Sequence, residues 1–254
     1  FDYTLTYQTQ TREVKDVTKE EVYREYYREL SEWYTFDDFI RDIVIGMSDG
    51  LTVPFALAAG LSGSISNANL VVVAGVAEIA AGSIAMGLGG YLAARTDEEH
   101  YASELERERR EIVELPDRER EEVAEILREW NLPESAVNEA VEAMSKDSDK
   151  WVDFMMKYEL GLEKPEPKRA LTSSATIGGS YIVGGLIPLF PYMLIQNANS
   201  ALLLSVIMTL IALFIFGFVK GRFTGANPFK SAFQTTLVGG IAAGIAFLIA
   251  RLIS

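Results

Sequence analysis

The stretch NLVVVAGVAEIAAGSIAMGLGGYLAA, residues 69–94, marks the chain as a membrane protein. It is 26 residues long and carries one charge, Glu78. About 20 apolar residues cross a ~30 Å hydrocarbon core as a helix, so this segment reads as a membrane span with length to spare. At ~1.5 Å per residue it should protrude and run on into RTDEEHYASELERERREIVE, residues 95–114, which opens a strongly charged region. A carboxylate at mid-bilayer costs about 2.5–3.5 kcal/mol on insertion scales, so an acid kept there marks an ion or proton path.

Four more apolar segments flank it, at 40–62, 172–195, 200–219 and 233–253. The first carries a second acid, Asp49. Charge and apolarity are segregated along the 254 residues: residues 97–170 hold 23 Asp/Glu against 12 Lys/Arg, while the five segments are almost charge-free. The expected fold is an all-α membrane protein with five transmembrane helices and a three-helix domain inserted between the second and third. Its divisions are 1–36, an N-terminal segment; 37–96, spans one and two; 97–167, the glutamate-rich insertion; and 168–254, spans three to five. A re-entrant segment would reduce the number of spans, but every segment is long enough to cross.

The connections at 62–69 and 196–200 are short and uncharged. Arg41, the insertion, Lys220, Arg222 and Lys230 share the opposite side. The positive-inside rule places the N-terminus, the insertion and the 220–232 loop in the cytosol and the C-terminus on the far side. In residues 1–36, Thr18-Lys19-Glu20-Glu21 has capping-box spacing, and Val22, Tyr26, Leu30 and Trp33 recur at helical intervals. Either a helix at the membrane surface or against the insertion, or a solvated helix with one packed face, fits that pattern. Phe1 in place of Met reads as the end of a processed or trimmed chain, and no basic-then-apolar signal pattern follows it.

The net charge of −13 suits cations and argues against nucleic acid. With no Cys there is no disulfide, thiolate metal site or Cys nucleophile. His100 is the single histidine and is expected at an exposed position; a di-iron enzyme would need Glu-x-x-His on two helices. There is no phosphate-binding Gly-x-x-x-x-Gly-Lys loop and no plausible Ser/His/Asp set, so an enzyme is not expected.

In the first span Asp42 and Asp49 lie two helical turns apart on one face, Asp42 nearer the cytosolic entrance. Asp42 also fits an interfacial acid beside Arg41. Pro54 removes a backbone donor just beyond Asp49 and should kink the helix. In the second span Glu78, Gly82, Met86 and Gly90 form one stripe, a carboxylate and a thioether among small residues, which suits a path along a dimer interface. Tyr181 in the third span reads as a packed tyrosine bonded to a neighbouring helix. In the insertion, Glu104, Glu108 and Glu111 share a face, Glu119 and Glu122 repeat the pattern on the next helix, and Met155, Met156 and Glu159 sit on the last. Facing carboxylates hold divalent cations, yet interleaved Arg107, Arg109, Arg110, Arg118 and Arg120 equally fit ordinary ion pairs on a solvated helix. A bundle of ~70 residues is small to stand alone and should lean on a second copy, the membrane or bound metal.

DIVIGMSDGLTVPFAL at 42–57 closely resembles the first span of plant-type vacuolar iron transporters. The likeness continues through Ala77-Glu78, SIAMGLGGYLAA at 83–94, DFMM at 153–156, ELGLE at 159–163 and FKSA at 229–232, and covers residues 37–254. Residues 1–36 do not share it. The resemblance implies a homodimer of five-span protomers in the vacuolar membrane, with a cytosolic metal-binding domain and a lumenal C-terminus. It implies proton-coupled export of ferrous iron, and often manganese, from cytosol to vacuole, with no permanent cofactor; Co²⁺ and Zn²⁺ are further candidate cargoes. By motif, Asp49, Glu78 and Met86, with Asp42 at the entrance, are similar to the family's transport path. Glu108, Glu111, Glu119, Glu122, Met155, Met156 and Glu159 are similar to its metal ligands. The alternatives are a passive divalent-cation channel and a membrane-tethered metal buffer.

Overall fold

The structure is a computed structural model; it describes residues 19–253, with side chains from residue 38 onward. The capping-box reading at Thr18 and the amphipathic reading of residues 1–36 lie outside those side chains. All described elements are helical: α1 (Lys19–Ser64), α2 (Ala68–Glu114), α3 (Pro116–Glu129), α4 (Glu134–Met144), α5 (Ser148–Phe154), a π-helical turn (Met155–Glu159), α6 (Arg169–Leu194), α7 (Ala198–Phe223) and α8 (Pro228–Ile253). Five are long and apolar enough to cross a membrane, the first from Asp38 to Ser64.

α2 runs unbroken for 47 residues, roughly 70 Å at 1.5 Å per residue. Its apolar part and its charged extension are therefore one rod, as the sequence implied. The extension ends at Glu114, and Pro116 starts α3, where its missing N–H and fixed φ cost nothing. The insertion has the expected three helical regions, the third of them, residues 134–160, broken near Ser145–Asp149 as its sequence suggests. Its last region breaks after Met144, because the Asp147 side chain accepts from Lys150 N (3.3 Å) and caps a new helix. α5 then widens into the π turn, where Leu160 N reaches back to Met155 O (3.1 Å). Gly161 closes it at φ 64°, a conformation that costs glycine little. Ile112, Val123, Leu127, Val137, Trp151, Met155 and Met156 pack into one apolar core, so the insertion has an interior of its own.

Within the membrane region the chain repeats itself. The turns joining α1 to α2 and α6 to α7 meet as an antiparallel bridge between Asn67 and Asn197. Ala68 N donates to Gln196 O (3.2 Å) and Ala198 N returns the bond to Ser66 O (3.1 Å). Asn67 and Asn197 each cap the helix that follows, accepting from Asn69 N and Ser200 N. The buried positions of α2, namely 68, 71, 75, 79, 83 and 87, recur in α7 at 198, 201, 205, 209, 213 and 217. Buried Leu51, Pro54, Phe55, Ala58, Ala59 and Ser62 in α1 match Tyr181, Gly184, Gly185, Pro188, Leu189 and Tyr192 in α6. The offset is 130 residues throughout, and Ser62 Oγ and the Tyr192 hydroxyl, one such pair, lie 2.9 Å apart in a hydrogen bond.

The two hairpins interlock through glycine. A Cβ on Gly46 or Gly50 would run into the backbone carbonyls of Ile177 or Tyr181. α8 packs antiparallel to α7, with Gly217 against Ala232, and reaches α1 at Gly60 and Gly63. A cavity of about 300 Å³ between α1, α7 and α8 is lined only by apolar residues such as Phe55, Val206 and Phe247. It offers an ion no ligand.

Candidate functional site

Three helical pieces bring glutamates together. Glu108 comes from the protruding end of α2, Glu119 from the first turn of α3 and Glu159 from the end of the π turn. One carboxylate oxygen from each lies within 4.8 Å of the others. Glu108 and Glu119 are 1% exposed. Glu108 Oε1 accepts from Arg107 Nη2 at 3.2 Å, but Glu108 Oε2 and both oxygens of Glu119 have no hydrogen-bond partner. Burial, then the facing carboxylates of Glu122, Glu108, Glu111 and Glu159, push Glu119 up to about 7. Burial first and Glu108 next do the same to Glu159, also to about 7. Burial also raises Glu108, against the pull of Arg107. Converging carboxylate oxygens, those of Glu108 and Glu119 buried and that of Glu159 exposed, are the donor type that suits a hard or borderline divalent cation.

Other acidic residues of the insertion and its approach form ion pairs. Arg118–Glu122 (2.9 Å), Arg95–Glu99 (3.0 Å) and Lys146–Glu142 (3.1 Å) are surface ion pairs. Glu111 sits 3.8 Å from Arg107 Nε and, like Glu122, acts on Glu119 through its charge. Met155 and Met156 are buried with Val123, Val137 and Trp151, adjoining Glu159 along the chain. His100 is exposed, 4.0 Å from Glu104.

In the membrane region Asp42 and Asp49 part company. Asp42 is buried and clamped by Arg169, Nη1 to Oδ2 at 2.5 Å and Nη2 to Oδ1 at 3.1 Å. The sequence offered Arg41 as its neighbour; the partner is the first residue of α6. Arg169 stood in the link to the third span, and the cue available was a basic pair, Lys168-Arg169, at the edge of an apolar run. Asp49 is half-buried beside Gly50, whose backbone packs on Tyr181.

Glu78 lies on α2 opposite Tyr181, whose hydroxyl donates to Glu78 Oε1. Glu78 Oε2 has no partner. Gly82 makes this contact possible: a Cβ there would fall 2.5 Å from Tyr181 Cζ. Tyr181 is 2% exposed and lies within electrostatic reach of Asp49 as well. The packed-tyrosine reading thus holds, with a carboxylate as the partner. The glycines of the small-residue stripe make a helix–helix contact. Gly82 and Gly90 face Tyr181 and Ile177 of α6 in the same chain. Met86 is half-buried two turns beyond Glu78.

This arrangement rests on sequence shared with known proteins. Residues 40–251 match the VIT family. Vacuolar iron transporter 1 of Arabidopsis thaliana is 54% identical over 220 residues, 87% of this chain and 88% of that protein. Vacuolar iron transporter 1 of Eucalyptus grandis is 56% identical over 218 residues, 86% of this chain and 88% of that protein. Protein CCC1 of Saccharomyces cerevisiae is 38% identical over 222 residues, 84% of this chain and 69% of that protein. The match takes in all five apolar helices and the glutamate insertion, and on that ground the chain belongs to the VIT family.

Proposed function

We propose that this protein carries ferrous iron from the cytosol into the vacuole in exchange for protons, with manganese and other divalent transition metals as secondary cargoes. The observation that carries the reading is Glu78: a carboxylate in an apolar helix, one oxygen held by Tyr181 and the other unpartnered. Such a group must take a proton or a cation, and the two compete for the same oxygen. The names of the relatives supply the metal and the compartment.

In this reading the insertion is cytosolic, and Glu108, Glu119 and Glu159, with Glu111 and Glu122 around them, gather the ion. Met155 and Met156 adjoin this set as softer ligands. The ion then passes Asp42 and reaches Asp49 and Met86, where the thioether favours iron over magnesium or calcium. Protons from the lumen load Asp49 or Glu78 and release it. The protein works as a homodimer in the vacuolar membrane, with its C-terminus in the lumen.

Proteoliposome uptake of ferrous iron under an imposed proton gradient tests this. Asp49→Asn should abolish uphill uptake. Uptake at the wild-type rate in that variant sinks the mechanism. Equal flux with and without the gradient supports a passive channel, and retained metal binding without flux supports a buffer.

A further inference from the structure

The two hairpins are joined differently at their two ends. At the turn end they are tied by reciprocal backbone hydrogen bonds and by Ser62–Tyr192. At the opposite end α1 and α6 meet through Asp42 and Arg169. Between the ends Gly46 and Gly50 of α1 lie close on the α6 backbone, and Pro54 meets α6 at Gly185. That construction resists separation at the turns and permits hinging toward Asp42.

Arg169 is also placed against its own helix. A cation in the first turn faces the positive end of the helix dipole. The buried carboxylate of Asp42 offsets that repulsion. The Arg169 side chain is 11% exposed and that of Asp42 is 2%. Arg169 follows directly on Lys168, which adopts φ 68°, where the link from the glutamate insertion turns into α6. One residue thus connects the end of the insertion to the entrance acid.

We propose that Arg169 is a positioning residue that latches α6 to α1 over the entrance of the transport path: paired, its guanidinium occupies both oxygens of Asp42 and closes this end; an arriving divalent cation displaces it and opens the way to Asp49. This rests on the transport reading above. Guanidinium and metal are rivals for one carboxylate, and a doubly charged ion repels the arginine as it binds the acid. The latch therefore opens for cargo and closes behind it.

The chain has no cysteine, which makes a single reporter possible. Ser180 faces Gly46, one turn deeper than Asp42, and Ser180→Cys is a near-isosteric change. The measurement is the rate at which a membrane-impermeant maleimide labels that cysteine in the full-length protein in proteoliposomes, from the side of the insertion. With Arg169 intact, labelling should be slow and should rise about tenfold or more when ferrous iron is added. In Arg169→Gln it should be fast without iron and indifferent to it; Arg169→Lys, which keeps the charge but loses the fork, should lie between. Arg169→Lys decides the matter where Arg169→Gln does not fold. A purely structural strut would lower the yield of both variants and leave labelling of the parent insensitive to iron. Iron-insensitive labelling in the parent, or unchanged labelling in folded Arg169→Lys, overturns the latch. Failure of the transport reading shows separately: full uptake by Asp49→Asn, with iron-dependent labelling intact, removes the path and leaves the latch.

Discussion

Glu119 is buried as an acid among acids, so charge in the metal-free insertion should destabilise it. Its carboxyl is raised from 4.5 to about 7, by burial first and by Glu122, Glu108, Glu111 and Glu159 after it. The sign follows from linkage. Below the unfolded value both states are protonated and nothing is lost. As pH rises the unfolded chain releases its proton first, so stability falls until the folded group has also ionised. Between pH 5 and pH 8 a shift of this size costs about 2.5 kcal/mol, roughly 70-fold in the opening equilibrium. Native-state hydrogen exchange on the full chain, corrected for intrinsic rates, should show α3 opening more readily by that factor at pH 8. Glu119→Gln removes the charge and should be more stable than wild type at pH 8 without metal. Only the smaller, solvent-screened share from exposed Glu159 should then remain. Divalent iron or manganese should restore protection in wild type and much less in Glu119→Gln. Equal opening at the two pH values in wild type, or a Glu119→Gln protein less stable than wild type at pH 8, refutes the reasoning.

The α1–α6 seam yields a contrast between glycines. Gly50→Ala and Gly46→Ala drive a methyl into backbone carbonyls and should cost about 1–3 kcal/mol in thermal unfolding and most of the uptake; Gly179→Ala and Gly244→Ala meet nothing within 4 Å and should leave both unchanged. Tyr181→Phe takes the hydroxyl from Glu78 while keeping the ring over Gly82, so melting should change little and the proton dependence of uptake should shift; an unaltered dependence removes Tyr181 from the path.

The helices were legible in the sequence because hydropathy and length leave little choice for a 26-residue run like 69–94. Its continuation into the charged region was legible for the same reason: nothing between Ala94 and Glu114 breaks a helix. What escaped was whatever depends on partners distant along the chain. Asp42 and Arg169 are 127 residues apart, and no local pattern joins them. Gly82 was visible as a small residue but not as the gap that admits a tyrosine from α6. The π turn was hidden because its sequence, Met-Met-Lys-Tyr-Glu, reads as ordinary helix; the glutamate spacing on each helix could be seen, but which carboxylates converge could not. The hairpin repeat was nearly silent: its sequence trace is Asn-Ala-Asn at 67–69 and again at 197–199. The repeat preserves burial position but neither identity nor size, as Phe55 against Gly185 and Ser62 against Tyr192 show.

That repeat supplies an internal control for the proposed homodimer. α2 and α7 present equivalent outer faces. On α7 that face is Ile207, Ile211, Ile215 and Val219, exposed and bulky, as suits contact with lipid chains. On α2 the equivalents are Ala77, Ala81, Ala85 and Gly89, equally exposed and small at every position. Small residues at four-residue spacing let helix backbones approach, and lipid does not require them. Glu78 and Met86 each adjoin a member of this stripe, which would set them at the margin of a contact along α2. Both acids belong to the first half of the repeat and have no acidic counterpart in the second, for Glu78 corresponds to Met208 and Asp49 to Gly179, while Tyr181 of the second half corresponds to Leu51. Ala81→Ile with Ala85→Ile gives α2 the outer face of α7 and should convert the detergent-solubilised protein to monomers by light scattering, with transport lost. Ile211→Ala with Ile215→Ala should leave the assembly unchanged. A dimer that survives the α2 substitutions would place the second copy elsewhere and separate Met86 from any shared path.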